Sequence, residues 1–143
     1  MSNCDLDVHV RLFLGDIQKR CKRLENMYSF GIPAFKFSRV RVHGVIVKRN
    51  AEILIIDDAT ATCRVNLDSI LHKRFDISKL SPGTLITVTG ELKETDGHRW
   101  IECEGYDTYY EPHSEHMLAL ETISIYKNHY FKNCFTKEKA SLT

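Results

Sequence analysis

Two pairs and one scatter of side chains have the types and spacing for chemistry. Asp57 and Asp58 are adjacent carboxylates, a combination used for acid–base work or metal binding. They stand between two apolar runs and ahead of Ala59-Thr60, where Asp shapes a turn by hydrogen-bonding its own backbone. Turn geometry is therefore the role assigned to them. His113 and His116 lie three apart at a helix start, a spacing that suits two metal ligands. With no further His or Cys nearby in sequence, they define no metal site. The five cysteines, Cys4, Cys21, Cys63, Cys103 and Cys134, are odd in number and lack the short spacing of zinc ligands. None has the neighbouring pattern of an activated thiol. A Gly-rich phosphate loop and a nucleophile elbow are both missing. The sequence predicts no catalytic residue, no metal and no cofactor.

The scatter is cationic and surrounds the single tryptophan. Arg39, Arg41, Lys48, Arg49, Arg64 and Arg99, with Trp100, are the candidates for nucleic-acid contact, and Lys93 and His98 lie near them. Single strands need cations for phosphates and rings for bases, the latter worth about 1–3 kcal/mol per base. The net charge is only +1, so affinity for phosphates must come from a local patch.

The elements that must position these residues follow from periodicity. Val10, Phe13, Leu14, Ile17, Cys21, Leu24 and Tyr28 recur at three- and four-residue steps, which predicts a helix over residues 7–27. Gly15 costs that helix about 1 kcal/mol, tolerable if a neighbour packs closely there. Ser29-Phe30-Gly31-Ile32-Pro33 ends it. From Phe35 the period becomes that of strands. The first runs through residues 37–47, with Gly44 placed for a bend or bulge. Lys48-Arg49-Asn50 is expected as the turn into Ile53-Leu54-Ile55-Ile56. A turn at 57–60 leads to a third strand over 62–67, a short helix over 68–75, a fourth strand over 84–92 and a loop over 93–97. A fifth strand opens at Arg99. Three strands, a helix and two strands is the order of a five-stranded oligonucleotide/oligosaccharide-binding (OB) barrel. The fold class expected is an all-β core with flanking helices. One domain covers 1–143: helix and linker 1–34, barrel 35–110, C-terminal helix 111–132 and tail 133–143.

Wound at about 100° per residue, the last helix separates its apolar residues. Ala119, Leu120, Ile123, Tyr126, Tyr130 and Phe131 share one broad face, and Met117, Leu118 and Ile125 lie on another. A barrel covers only one face, so a partner helix is the natural cover for the rest. Met117, Leu118, Leu120, Ile125 and Tyr126 are the expected partner-binding residues.

Two stretches resemble a known family. Leu54-Ile55-Ile56-Asp57-Asp58-Ala59-Thr60 is similar to the apolar-Asp-Asp-x-Thr turn of an OB group. That group holds the middle subunit of replication protein A and the Stn-type subunit of the telomere-capping CST complex. His116-Met117-Leu118-Ala119-Leu120, then Ile123 and Ile125-Tyr126-Lys127, resembles the C-terminal helix of the Stn-type domain. Ala61 departs from the family, which often has Gly there. The 143 residues leave no room for the winged-helix region of full-length members. The resemblance implies pairing with a small OB protein, of the Ten type or like the small replication-protein-A subunit, helix against helix. It also implies shared binding of single-stranded DNA at a telomere or elsewhere on the chromosome, in the nucleus. The alternative is a scaffold that touches no DNA, as in RecQ-mediated genome-instability complexes. A hydrophobic fraction of 43% with 27% charged residues suits a soluble globular chain, and dispersed thiols suit a reducing compartment. No membrane segment is expected.

Overall fold

Alternation of apolar and polar residues from Arg39 onward closes five strands into a barrel in the computed structural model, which describes residues 9–71 and 77–131. The strands are β5 (Arg39–Arg49), β6 (Ile53–Asp57), β7 (Thr62–Asn66), β8 (Leu85–Thr95) and β9 (His98–Tyr109). They pair antiparallel except β7 with β9, which run parallel, and β5 closes the circle by pairing with β8. A short helix, α2 (Asp68–Leu71), follows β7. This is the OB topology expected. The tail, Cys4, Cys134 and residues 72–75 of the helix expected over 68–75 lie outside the described residues.

Inward residues of every strand fill the barrel, including Val40, Val42, Leu54, Ile56, Val65, Ile86, Val88 and Ile101. Gly90 is required where β8 passes β9, because a Cβ there would collide with the Glu102 carbonyl. The β8–β9 connection is shorter than expected. Strand pairing continues to Thr95↔His98, and Asp96 and Gly97 turn the chain with φ of 52° and 79°. Positive φ at both central residues is the type I′ geometry that matches strand twist.

The N-terminal segment departs from the expected long helix. Only Leu14–Lys19 is helical (α1); Val10–Arg11 (β1) pairs in parallel with β5. Lys22–Leu24 (β2), Met27–Phe30 (β3) and Phe35–Phe37 (β4) form a separate three-stranded sheet. The same apolar spacing fits either structure, and long-range pairing decides: Tyr28 and Phe30 alternate inward as a strand requires.

Six residues are too few for a helix to stand alone. The β6–β7 turn supplies the missing partners. Asp58 Oδ2 accepts the Leu14 amide at 2.8 Å, and Thr60 Oγ1 accepts the Gly15 amide at 2.8 Å. Asp58 Oδ1 also accepts the Thr60 amide at 2.9 Å, so one buried carboxylate builds its own turn and caps a distant helix. Gly15 suits this close approach, since a Cβ would stand 3.1 Å from the Thr60 side chain. Asp58→Ala should therefore lower stability by about 2 kcal/mol, read by urea denaturation. Asp58→Asn, which keeps an accepting oxygen, should recover part of the loss.

Candidate nucleic-acid face and partner face

Strand register decides which cations share a surface. Lys48 pairs with Ile55, Ile55 with Arg64, Arg64 with Trp100, and Trp100 with Lys93. These five side chains form one outward row across β5, β6, β7, β9 and β8. The Arg64 guanidinium lies over the Trp100 ring, 4.8 Å from its centroid, a cation–π contact. Below it runs a second row, Ile53, Asn66, Glu102 and Glu91. Glu102 Oε1 accepts Asn66 Nδ2 at 3.0 Å and Trp100 Nε1 at 3.1 Å, and Oε2 accepts Ser69 Oγ at 3.4 Å. Lys93 Nζ is 2.7 Å from Glu91, whose hydrogen bond and charge raise the lysine above its ordinary pKa.

Four of the expected nucleic-acid residues sit elsewhere. Lys48 and Arg49 remain on β5, not in a loop, and a bulge between Ile46 and Lys48 inserts Val47. Gly44, where a bend or bulge was expected, instead lies close to the Asp57 backbone, which an added Cβ would approach to 3.1 Å. Arg49 pairs with inward Leu54 and donates to the Ile77 and Leu80 carbonyls, tying down the segment that follows α2. Arg99 donates to the Ile17 and Cys21 carbonyls at 2.6 and 2.7 Å and to Glu94 at 2.7 Å. It closes the C-terminal end of α1, where cations complement the helix dipole. Arg39 donates to Glu104 at 3.1 Å, and Arg41 lies with Arg11, His43 and Thr87 on the far half of β5. Arg41 Nε is buried without a hydrogen-bond partner. Of the seven expected residues, register joins Lys48, Arg64 and Trp100. Sequence reasoning missed Asn66, Ser69 and Glu102, although the step of two from Trp100 to Glu102 places both on one face.

The C-terminal helix α3 (Ser114–Ile125) continues as a π-helical turn, Tyr126–Tyr130. Its inward residues are Leu118, 6% exposed, and Thr122, whose hydroxyl donates to the Leu118 carbonyl at 2.9 Å. Leu118 packs beside Arg41, Val42, His43 and Thr87. Burial lowers the His43 pKa and so disfavours its protonated form. The wider π turn carries Tyr126, Tyr130 and Phe131 to the same side, against Phe30. Tyr126 Oη donates to Asp16 at 2.6 Å and accepts the Phe13 amide at 2.9 Å. Burial and the Asp16 hydrogen bond raise its pKa far above the ordinary tyrosine value.

Two of the expected partner-binding residues are instead packed within the chain. Leu118 faces the chain's own barrel, Tyr126 packs against Phe13, Asp16 and Phe30, and Ile125 is half-buried. The outward apolar residues are Met117, Leu120 and Ile123, at 53%, 46% and 43% exposure. Ile123 was expected with the opposite group. The error is one of phase: the helix presents apolar residues on both sides, so winding alone separates the groups without saying which faces the barrel.

Burial pushes the Cys21 and Cys63 thiols up to about 12, which removes thiolate near neutral pH. His113 and His116 are exposed. Among the described residues no three His, Cys, Asp or Glu side chains gather to hold a metal, and no helix is long and apolar enough to cross a membrane.

No family model and no curated protein matches the sequence. Solved structures do match. The chain is similar to one in the Stn1–Ten1 complex of S. pombe, with TM-score 0.71 and 19% identity over 85% of this chain and 93% of that one. It is similar to a chain of a replication protein A heterotrimer bound to single-stranded DNA, with TM-score 0.68 and 14% identity over 85% and 98%. A chain in a structure of yeast Stn1 and Ten1 gives 0.63 at 14% identity over 85% and 74%. At these identities the likeness establishes the OB fold.

The division of the arginines predicts a division of phenotypes. Arg99→Gln should cost about 1–3 kcal/mol of stability, since three charge-assisted hydrogen bonds are lost or weakened. Lys48→Gln should stay within about 0.5 kcal/mol of wild type. Parallel denaturant titrations check both.

Proposed function

We propose that this chain is a non-catalytic OB subunit of a single-stranded-DNA-associated complex of the telomere-capping or replication-protein-A kind, acting in the nucleus. It pairs with a small OB protein through the outer face of α3. The observation that carries the reading is the two-sided helix. Leu118, Thr122 and Tyr126 are packed against the chain's own barrel and N-terminal segment, while Met117, Leu120 and Ile123 remain in water. An exposed apolar stripe at three-residue steps suits a partner helix. The likeness to Stn1–Ten1 and replication protein A structures supports both the pairing and the DNA. DNA contact falls to the row Lys48, Arg64, Trp100 and Lys93.

A second reading, a scaffold that touches no DNA, is favoured by Glu91 and Glu102 beside that row. It also gains from the absence of any aromatic residue on β6 and β7.

Met117→Glu, Leu120→Glu and Ile123→Glu together should abolish the one-to-one complex with a co-expressed small OB protein, read by size-exclusion chromatography. The barrel should stay folded, whereas Leu118→Glu should unfold it. A complex that survives the triple substitution removes α3 from the interface.

The DNA half has its own test. Affinity of the complex for an unstructured single strand should fall with salt, with a slope of about −0.7 per phosphate contacted. Lys48→Glu with Arg64→Glu should flatten the slope by about 1.4 and weaken all sequences alike, since phosphate contacts carry no sequence information. Unchanged slope and affinity would select the scaffold.

A further inference from the structure

Glu102 is an odd resident for a surface that attracts phosphates, yet the fold holds it there with care. Three donors from three elements converge on its carboxylate: Asn66 from β7, Ser69 from α2 and Trp100 from β9 itself. Asn66 Oδ1 is meanwhile buried without a partner. Reversing that amide would set its oxygen against the Glu102 carboxylate, so the orphan is the cost of donating to Glu102. An unmet buried acceptor is expensive. The arrangement leaves that acceptor unmet and fixes Glu102 instead.

A carboxylate is an acceptor only. Oε1 already receives two donors, while Oε2 receives one long bond from Ser69 at 3.4 Å. Room for a stronger donor is therefore left on Oε2. Beside the carboxylate lies the plate of Arg64 over Trp100, whose Nε1 donates to Oε1. Bases stack on guanidinium planes and indole rings alike. A base lying on this plate brings one polar edge toward Glu102.

We infer that Glu102 reads that edge, selecting bases that carry an exocyclic amino group over thymine or uracil. The amino group of cytosine, adenine or guanine donates to Oε2. Thymine and uracil present carbonyl oxygens on both sides of their single ring N–H, and these repel the carboxylate. Asn66 and Ser69 are positioning residues, and Arg64 and Trp100 supply the stacking surface. The inference rests on the DNA-binding reading above.

Cytosine and uracil test it cleanly, because they share ring size and stacking area and differ at the polar edge. Fluorescence anisotropy of the full chain with its partner, using oligo-dC and oligo-dU of equal length, should show oligo-dC bound at least about tenfold tighter. That is the effect of one hydrogen bond to a charged group. Glu102→Gln, nearly the same shape, can donate as well as accept, so the two oligomers should bind within about twofold of each other by the same reasoning. Glu102→Asp keeps the charge but withdraws the carboxylate, and should also lose the preference. Equal binding of oligo-dC and oligo-dU by wild type, with dependence on Lys48 and Arg64 intact, overturns the inference while leaving DNA binding in place. A preference that persists in Glu102→Gln also overturns it. If neither oligomer binds at low salt, the DNA reading fails and this inference with it.

Discussion

Almost every part of this chain meets at the ends of one six-residue helix. The Asp58 carboxylate and Thr60 hydroxyl, from the β6–β7 turn, receive its first amides. Tyr126, from the π turn, joins the Phe13 amide to the Asp16 carboxylate. Arg99, from β9, takes the carbonyls at the other end. A helix this short leaves most of its end groups unsatisfied within itself. Burying Leu14 and Ile17 is possible only because remote side chains complete it. The same bonds fix the C-terminal helix: with Tyr126 pinned to α1, Leu118 must face β5, and Met117, Leu120 and Ile123 must face away.

The second constraint is the parity of β5. Strict alternation from inward Ile46 would turn Lys48 inward and Arg49 outward. The extra residue at Val47 reverses this, because Lys48 then pairs with outward Ile55 and Arg49 with inward Leu54. One bulge thus sends one cation to the candidate DNA face and the other to the barrel's lower end. Adjacent residues of the same charge acquire unrelated roles, one surface-seeking and one structural.

This explains what the sequence could and could not disclose. The long strands, the OB order, the Asp58 turn and the existence of a C-terminal helix were legible, because alternation and turn residues are local signals. Gly15 was legible as a site of close packing, although Thr60, its neighbour, was not. The N-terminal strands were hidden. Val10, Cys21 and Tyr28 fall on a helical period by coincidence, and only pairing with β5 and within the small sheet excludes the helix. The candidate site suffered most. Its members lie on five strands, and a register that depends on a bulge cannot be counted from alternation. Glu102 went unnoticed because a search for cations and rings passes over an acceptor.

The two outer faces of the barrel are separated by β5 itself. Its first half, with Arg39 and Arg41, pairs with β8 and β1 near Leu118, while its second half, with Lys48, pairs with β6. A partner on the exposed stripe of α3 therefore approaches the half of the strand remote from the Lys48–Arg64–Trp100 row. Docking and DNA contact need not compete. The row also contains one aromatic ring, with Ile55 between Lys48 and Arg64 where another could stand. A single stacking plate engages few bases, and at about 1–3 kcal/mol per stacked base it gives a weak site by itself. An OB partner held beside the other half of β5 would extend the path of a single strand without covering this row, and assembly would then be the source of affinity.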